Sequence, residues 1–155
     1  MALILSGDTG VPASGMPVGS VIQTVNISIA INTETASTSY IDTGVSASIT
    51  PLFATSKILV LFDMTGIYKN TDNIYGRMQL VRNSTVLIQN EGAFGYNNST
   101  AENNVGATSI NYLDSPATTS SVTYKTQILA SGGTGKVGVG RNAAVHTVTL
   151  LEIKQ

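Results

Sequence analysis

The stretch Val25-Asn-Ile-Ser-Ile-Ala-Ile31 decides the fold class. Its branched apolar residues fall at every second position, with Asn26, Ser28 and Ala30 between them. Side chains of an extended chain alternate between two faces, so this spacing lays one face on a core and leaves the other in water. The same alternation returns in Val45-Ser-Ala-Ser-Ile49, in Arg77-Met-Gln-Leu80 and in Val122-Thr-Tyr-Lys-Thr-Gln-Ile128, and a strand from Val145 to Ile153 closes the domain. Lys57-Ile-Leu-Val-Leu-Phe62 is a continuous apolar run, which predicts a strand buried on both faces. Asn83-Ser84 reads as the turn of a hairpin into Thr85-Val-Leu-Ile88, and Asp114-Ser-Pro116 closes the strand Ser109 to Leu113. Val137 and Val139 mark a short glycine-spaced strand. No segment holds apolar residues at i, i+3, i+4 and i+7 over three turns.

Eight or nine short strands between turns rich in Gly, Pro, Asn and Ser predict an all-β chain. The expected architecture is an antiparallel β-sandwich of jelly-roll type, with an immunoglobulin-like sandwich as the alternative. The predicted core is Val25, Ile27, Ile29, Ile49, Ile58, Val60, Phe62, Leu80, Val122, Tyr124 and Leu150, with Leu113 at its border. Two polar connections, residues 65–74 and 92–106, are expected as loops at the ends of the sandwich.

Composition supports this reading. Thr, Ser and Asn occupy 48 of 155 positions, while charged residues are only 11 % and the net charge is −1. Scattered basic residues give no nucleic-acid footprint. The chain has no cysteine, which excludes disulfides and thiolate zinc sites. The longest apolar run is far too short to span a membrane, and residues 2–5 are too short for the core of a secretion signal.

Residues 1–19 differ from the rest. Four glycines and two prolines leave no strand or helix period, which predicts an extended N-terminal arm in front of a single domain at 20–155. Leu3, Ile4, Leu5, Val11, Met16 and Val18 are its apolar side chains and the candidate anchors for a partner. Tyr68, Tyr75 and Tyr96 fall in or beside the two polar connections and are candidate exposed contact residues.

Little points to catalysis. His146 is the single histidine and is expected on the surface or in an interface. Gly133-Thr-Gly-Lys-Val-Gly138 fits a G-x-G-x-x-G pattern, but a strand follows instead of the helix that would receive a pyrophosphate, so it reads as a glycine-rich hairpin. Asp63, Asn70, Asp72 and Asn73 lack the spacing of a calcium loop. No catalytic residue, metal site or cofactor is expected.

An ordered series of segments carries a resemblance. Thr38-Ser-Tyr-Ile-Asp-Thr-Gly44, Ile49-Thr-Pro51, Ser56-Lys-Ile-Leu-Val60 and Leu80-Val-Arg-Asn-Ser-Thr85 are followed by Tyr112-Leu-Asp-Ser-Pro-Ala-Thr-Thr-Ser120, Val122-Thr-Tyr-Lys125 and Leu150-Leu-Glu-Ile153. The series resembles β-sandwich virion proteins of tailed bacteriophages, over nearly the whole chain from about residue 20. The resemblance implies a structural role without enzymatic activity. It implies a homotrimeric cement or decoration protein on the capsid exterior, assembled in the host cytoplasm and bound to the major capsid protein. Its alternative is a tail-fibre or head-fibre domain that binds a host-surface glycan. No nucleic-acid or membrane partner is implied.

Overall fold

The computed structural model describes residues 10–94, 103–132 and 134–155. Among the described residues ten strands form: β1 (Val21–Ala30), β2 (Thr33–Thr35), β3 (Ile41–Ile49), β4 (Lys57–Lys69), β5 (Gly76–Arg82), β6 (Thr85–Phe94), β7 (Asn103–Asp114), β8 (Val122–Ala130), β9 (Val137–Val139) and β10 (Val145–Ile153). They make two antiparallel sheets. The first carries β1, β10, β4 and β7 side by side, extended at one end of β4 by β9 and β2. The second runs β3, β8, β5, β6. The protein is therefore an all-β sandwich of two sheets, as the period-two pattern requires.

The pairings nest. β1 pairs β10, β3 pairs β8, β4 pairs β7 and β5 pairs β6. Successive pairs lie in alternate sheets, so the chain is one long ribbon folded over on itself around the core. Asn83 (φ 52) takes the left-handed conformation at the tip of that ribbon, where the β5–β6 turn needs it.

The core lies between the sheets. Ile49, Ile58, Val60, Phe62, Leu80, Val122, Tyr124 and Leu150 are buried as expected, and Val45, Met64, Ile67, Met78, Ile110, Ile128 and Val148 join them. Three expectations need correction. Val25, Ile27 and Ile29 pack on the core only partly buried, because β1 is an edge strand with one neighbour. Leu113 is 49 % exposed, since it follows the inward Tyr112 and so points out of the sandwich. The 57–62 run is not buried on both faces: Ile58, Val60 and Phe62 point inward, while Leu59 and Leu61 are half-buried on the outer face.

Residues 65–74 are also not a loop over their first half. β4 continues through Lys69, with a register shift between Met64 and Ile67 around Gly66 (φ 57). A Cβ at Gly66 would lie 2.6 Å from the backbone nitrogen of Arg141. The bulge thus makes room for the short turn Arg141–Ala143, which carries the chain from β9 to β10 along the same side of β4. Of residues 92–106, the ends belong to β6 and β7.

Candidate functional site

The glycine-rich segment builds a packing device, not a phosphate cradle. Gly138 in β9 stands directly opposite Tyr68 in β4, and a Cβ there would lie 2.5 Å from the Tyr68 ring. The ring therefore lies on bare backbone. Tyr68, expected as an exposed contact residue, is only 5 % exposed. Its hydroxyl donates to Glu34 Oε2 at 2.9 Å and lies 3.3 Å from Asn32 Oδ1, and the Arg141 guanidinium sits 5.2 Å from its centroid. Burial, reinforced by the Glu34 carboxylate, pushes the Tyr68 phenol up to about 12. The same carboxylate accepts from Lys136 Nζ, and that contact holds the Glu34 carboxyl below its usual range. Sequence reasoning missed this cluster because Asn32, Glu34, Tyr68, Lys136 and Arg141 come from distant parts of the chain.

Tyr75 remains half-buried beside β5, where its hydroxyl accepts from Arg77 Nη2 at 3.1 Å. Tyr96 lies outside the described residues.

His146 is fully buried, not on the surface. Nδ1 accepts from the Thr65 backbone N–H at 3.1 Å. Nε2 lies 3.0 Å from the Ile31 carbonyl, so Nε2 carries the hydrogen and donates it. Both ring nitrogens are thus occupied in tying β1, β4 and β10 together. Asp63 faces outward in mid-β4, whereas Asn70 and Asp72 are in the turn after it; the Asn70 side chain accepts from the Lys136 N–H. Among the described residues, no three His, Asp or Glu side chains gather as a metal site.

Of the expected arm anchors, Leu3, Ile4 and Leu5 lie outside the described residues. Val11 and Met16 are half-buried and Val18 is 72 % exposed. The segment that carries them is held through its backbone. Lys154 Nζ donates to the carbonyls of Ser14 (2.6 Å) and Met16 (2.5 Å), and the Gly19 N–H donates to the Lys154 carbonyl at 2.8 Å. A turn at Ala13–Gly15 bends it there.

The outer faces of the two sheets differ in chemistry. Across the second sheet, Gln89 donates to Gln79, Gln79 to Gln127, and Gln127 to Asp42, a hydrogen-bonded row through all four strands. Lys125 also donates to Asp42 at 2.8 Å and holds its carboxyl below the usual range. On the first sheet the outer positions of β4, β7 and β10 include Leu59, Leu61, Leu113 and Leu151.

No family model matches this chain, and no curated protein matches it. Solved structures similar to it include the infectious bursal disease virus VP2 subviral particle, with 13 % identity and a TM-score of 0.45. The structure of the Gx strain of the same virus has 16 % identity and a TM-score of 0.41. Each covers all of this chain, which spans 42 % of the length of those chains.

Proposed function

We propose that the chain is a structural protein of a bacteriophage virion: a capsid decoration subunit of jelly-roll fold, bound to the outside of the shell and without enzymatic activity. The nested pairing supports the jelly-roll reading. Counting the eight long strands in order, the first sheet takes the first, eighth, third and sixth, and the second takes the second, seventh, fourth and fifth. The phage reading rests on the ordered series of segments from Thr38 to Ile153.

The observation that carries the decoration role is the N-terminal segment. Lys154 grips it by main-chain carbonyls, and Val18 stands exposed for a partner. A peptide already held in place loses less entropy on docking. The major capsid protein is the partner in this reading, and repetition on a lattice multiplies weak contacts into avidity. Assembly takes place in the host cytoplasm. The glycan-binding fibre reading is left with a smaller described surface, since Tyr68 is spent inside the fold.

Immunogold labelling tests the role. Antibody raised against the purified chain is expected to decorate the whole head of intact virions. Label confined to the tail tip supports the fibre reading instead, and unlabelled virions overturn both.

A further inference from the structure

We infer that the outer face of the first sheet is the surface through which two copies of this chain pair, sheet on sheet, about a two-fold axis. The inference is independent of the virion reading. It begins with the register. Leu151, Leu59 and Leu113 stand directly opposite one another across β10, β4 and β7. Leu61 lies two residues further along β4, and Ile153 lies two residues the other way on β10 with Val21 opposite it. Ile58, Val60, Phe62 and Leu150, the chain neighbours of Leu59, Leu61 and Leu151, fill the core, so those three leucines face away from it, and the register puts Leu113, Ile153 and Val21 on the same face. Leu113 and Val21 are exposed and the other four half-buried. A contiguous apolar patch of this kind marks an interaction surface. The second sheet presents its glutamine row instead, whose amides hydrogen-bond to one another and to Asp42.

Charge selects the occupant. The patch is rimmed by the neutral Thr24, Asn26, Asn111 and Thr149, which lose little on leaving water when paired across a contact. On the outer face of β4 the charges are Lys57 at one end and Asp63 at the other, roughly 20 Å apart. Lys57 forms no ion pair with the described residues, and Asp63 accepts only a long contact, 3.4 Å, from the Thr147 hydroxyl. A half-turn about an axis between Leu59 and Leu61 lays β4 antiparallel on the β4 of a second copy. Each Lys57 then faces an Asp63 and each Leu59 faces a Leu61, which is the self-complementarity a two-fold interface demands. A three-fold arrangement with these strands along the axis, the competing trimer, would gather three Lys57 at one level and three Asp63 at another, a repulsive arrangement.

The area is sufficient. Four strands at about 4.8 Å spacing and about nine residues at about 3.3 Å give a face of roughly 570 Å². Two copies bury about 1,100 Å² in total, just over the roughly 1,000 Å² that a biological interface must clear and at the small, reversible end of the range.

The test measures the mass of the full chain in solution. The unaltered protein is expected at twice 16.1 kDa. Leu113→Glu is expected to raise the dimer dissociation constant at least about tenfold with an unchanged melting temperature, because that side chain stands half outside the fold. Lys57→Asp and Asp63→Lys, each alone, bring like charges together and weaken the dimer. Mixed in equal amounts they restore it, because every cross-pair is then of opposite sign. A chain that stays monomeric at millimolar concentration, a trimer mass that survives Leu113→Glu, or a mixture that fails to recover the dimer would each overturn the inference.

Discussion

Tyr124 and Asp114 join the two sheets: the phenol of Tyr124 on β8 donates to Asp114 Oδ2 on β7 at 2.7 Å. Arg82 on β5 completes the clasp, with Nη1 2.9 Å from Oδ1 and 2.7 Å from Oδ2. Burial, and next the carboxylate beside it, push the Tyr124 phenol far above its ordinary range. Tyr124→Phe keeps the ring in the core but removes one hydrogen bond to a buried charge, at a cost of about 1.5–3 kcal/mol. Urea unfolding measures it, and an unchanged midpoint would show that the clasp adds nothing.

Alkaline pH destabilises the fold through Tyr68. Between the ordinary phenol value of 10.0 and about 12, the unfolded chain releases this proton while the folded chain keeps it. The unfolded state then binds fewer protons, so stability falls as pH rises through that window. The loss is on the order of 2 kcal/mol by pH 12. In a Tyr68→Phe variant the slope of stability against pH from 10 to 12 is expected to flatten. An identical slope in the variant places the effect elsewhere.

Gly140 tolerates no side chain. Its φ is +80, and a Cβ would lie 1.7 Å from the Ile31 carbonyl oxygen, which is backbone and cannot swing aside. Gly140→Ala is expected to cost more than about 4 kcal/mol, combining strain with overpacking. Gly106→Ala has open space around it and only the strain of φ +103, so its loss is about 1–2 kcal/mol. Thermal melts of the pair are expected to keep this order.

His146→Phe fills the cavity of the ring but strands the Thr65 N–H and the Ile31 carbonyl without partners. Two buried polar groups left unpaired cost about 2–5 kcal/mol together. Hydrogen exchange at the Thr65 amide is expected to accelerate with the fall in stability; retained protection there would mean that another acceptor takes over.

Lys154→Met removes the grip on the Ser14 and Met16 carbonyls while leaving the Gly19 bond intact. Stability falls by about 1 kcal/mol, since these bonds are near the surface. Thermolysin cleavage between Val11 and Val18 is expected to speed up in the variant, whereas equal rates would show the segment held by other means.

Val25 to Ile31, Val45 to Ile49 and Val122 to Ile128 display their alternation in the sequence itself. The strands and the all-β class follow from it, because period two is a property of the extended backbone and needs no partner to be visible. Val60 and Phe62 were legible as core from the continuous apolar run that holds them, and Leu150 from the closing strand. The face a strand turns to its surroundings was not. Leu59, Leu61 and Leu113 are as apolar as their buried neighbours, and only the stacking of the second sheet on one side of β4 and β7 decides which are left outside. Tyr68 borders a polar connection and His146 follows Ala144 and Val145 at a strand start, and neither neighbourhood marks its residue as fully buried. They are buried because β9 and the bulge at Gly66 bring Gly138 and Thr65 against them. Those contacts join residues more than 65 positions apart, and no local pattern records them. Asp114, Arg82 and Tyr124 likewise carry ordinary signals in the chain, and they become a part-buried ion pair with its phenol only when the ribbon closes on itself and removes water from between the sheets.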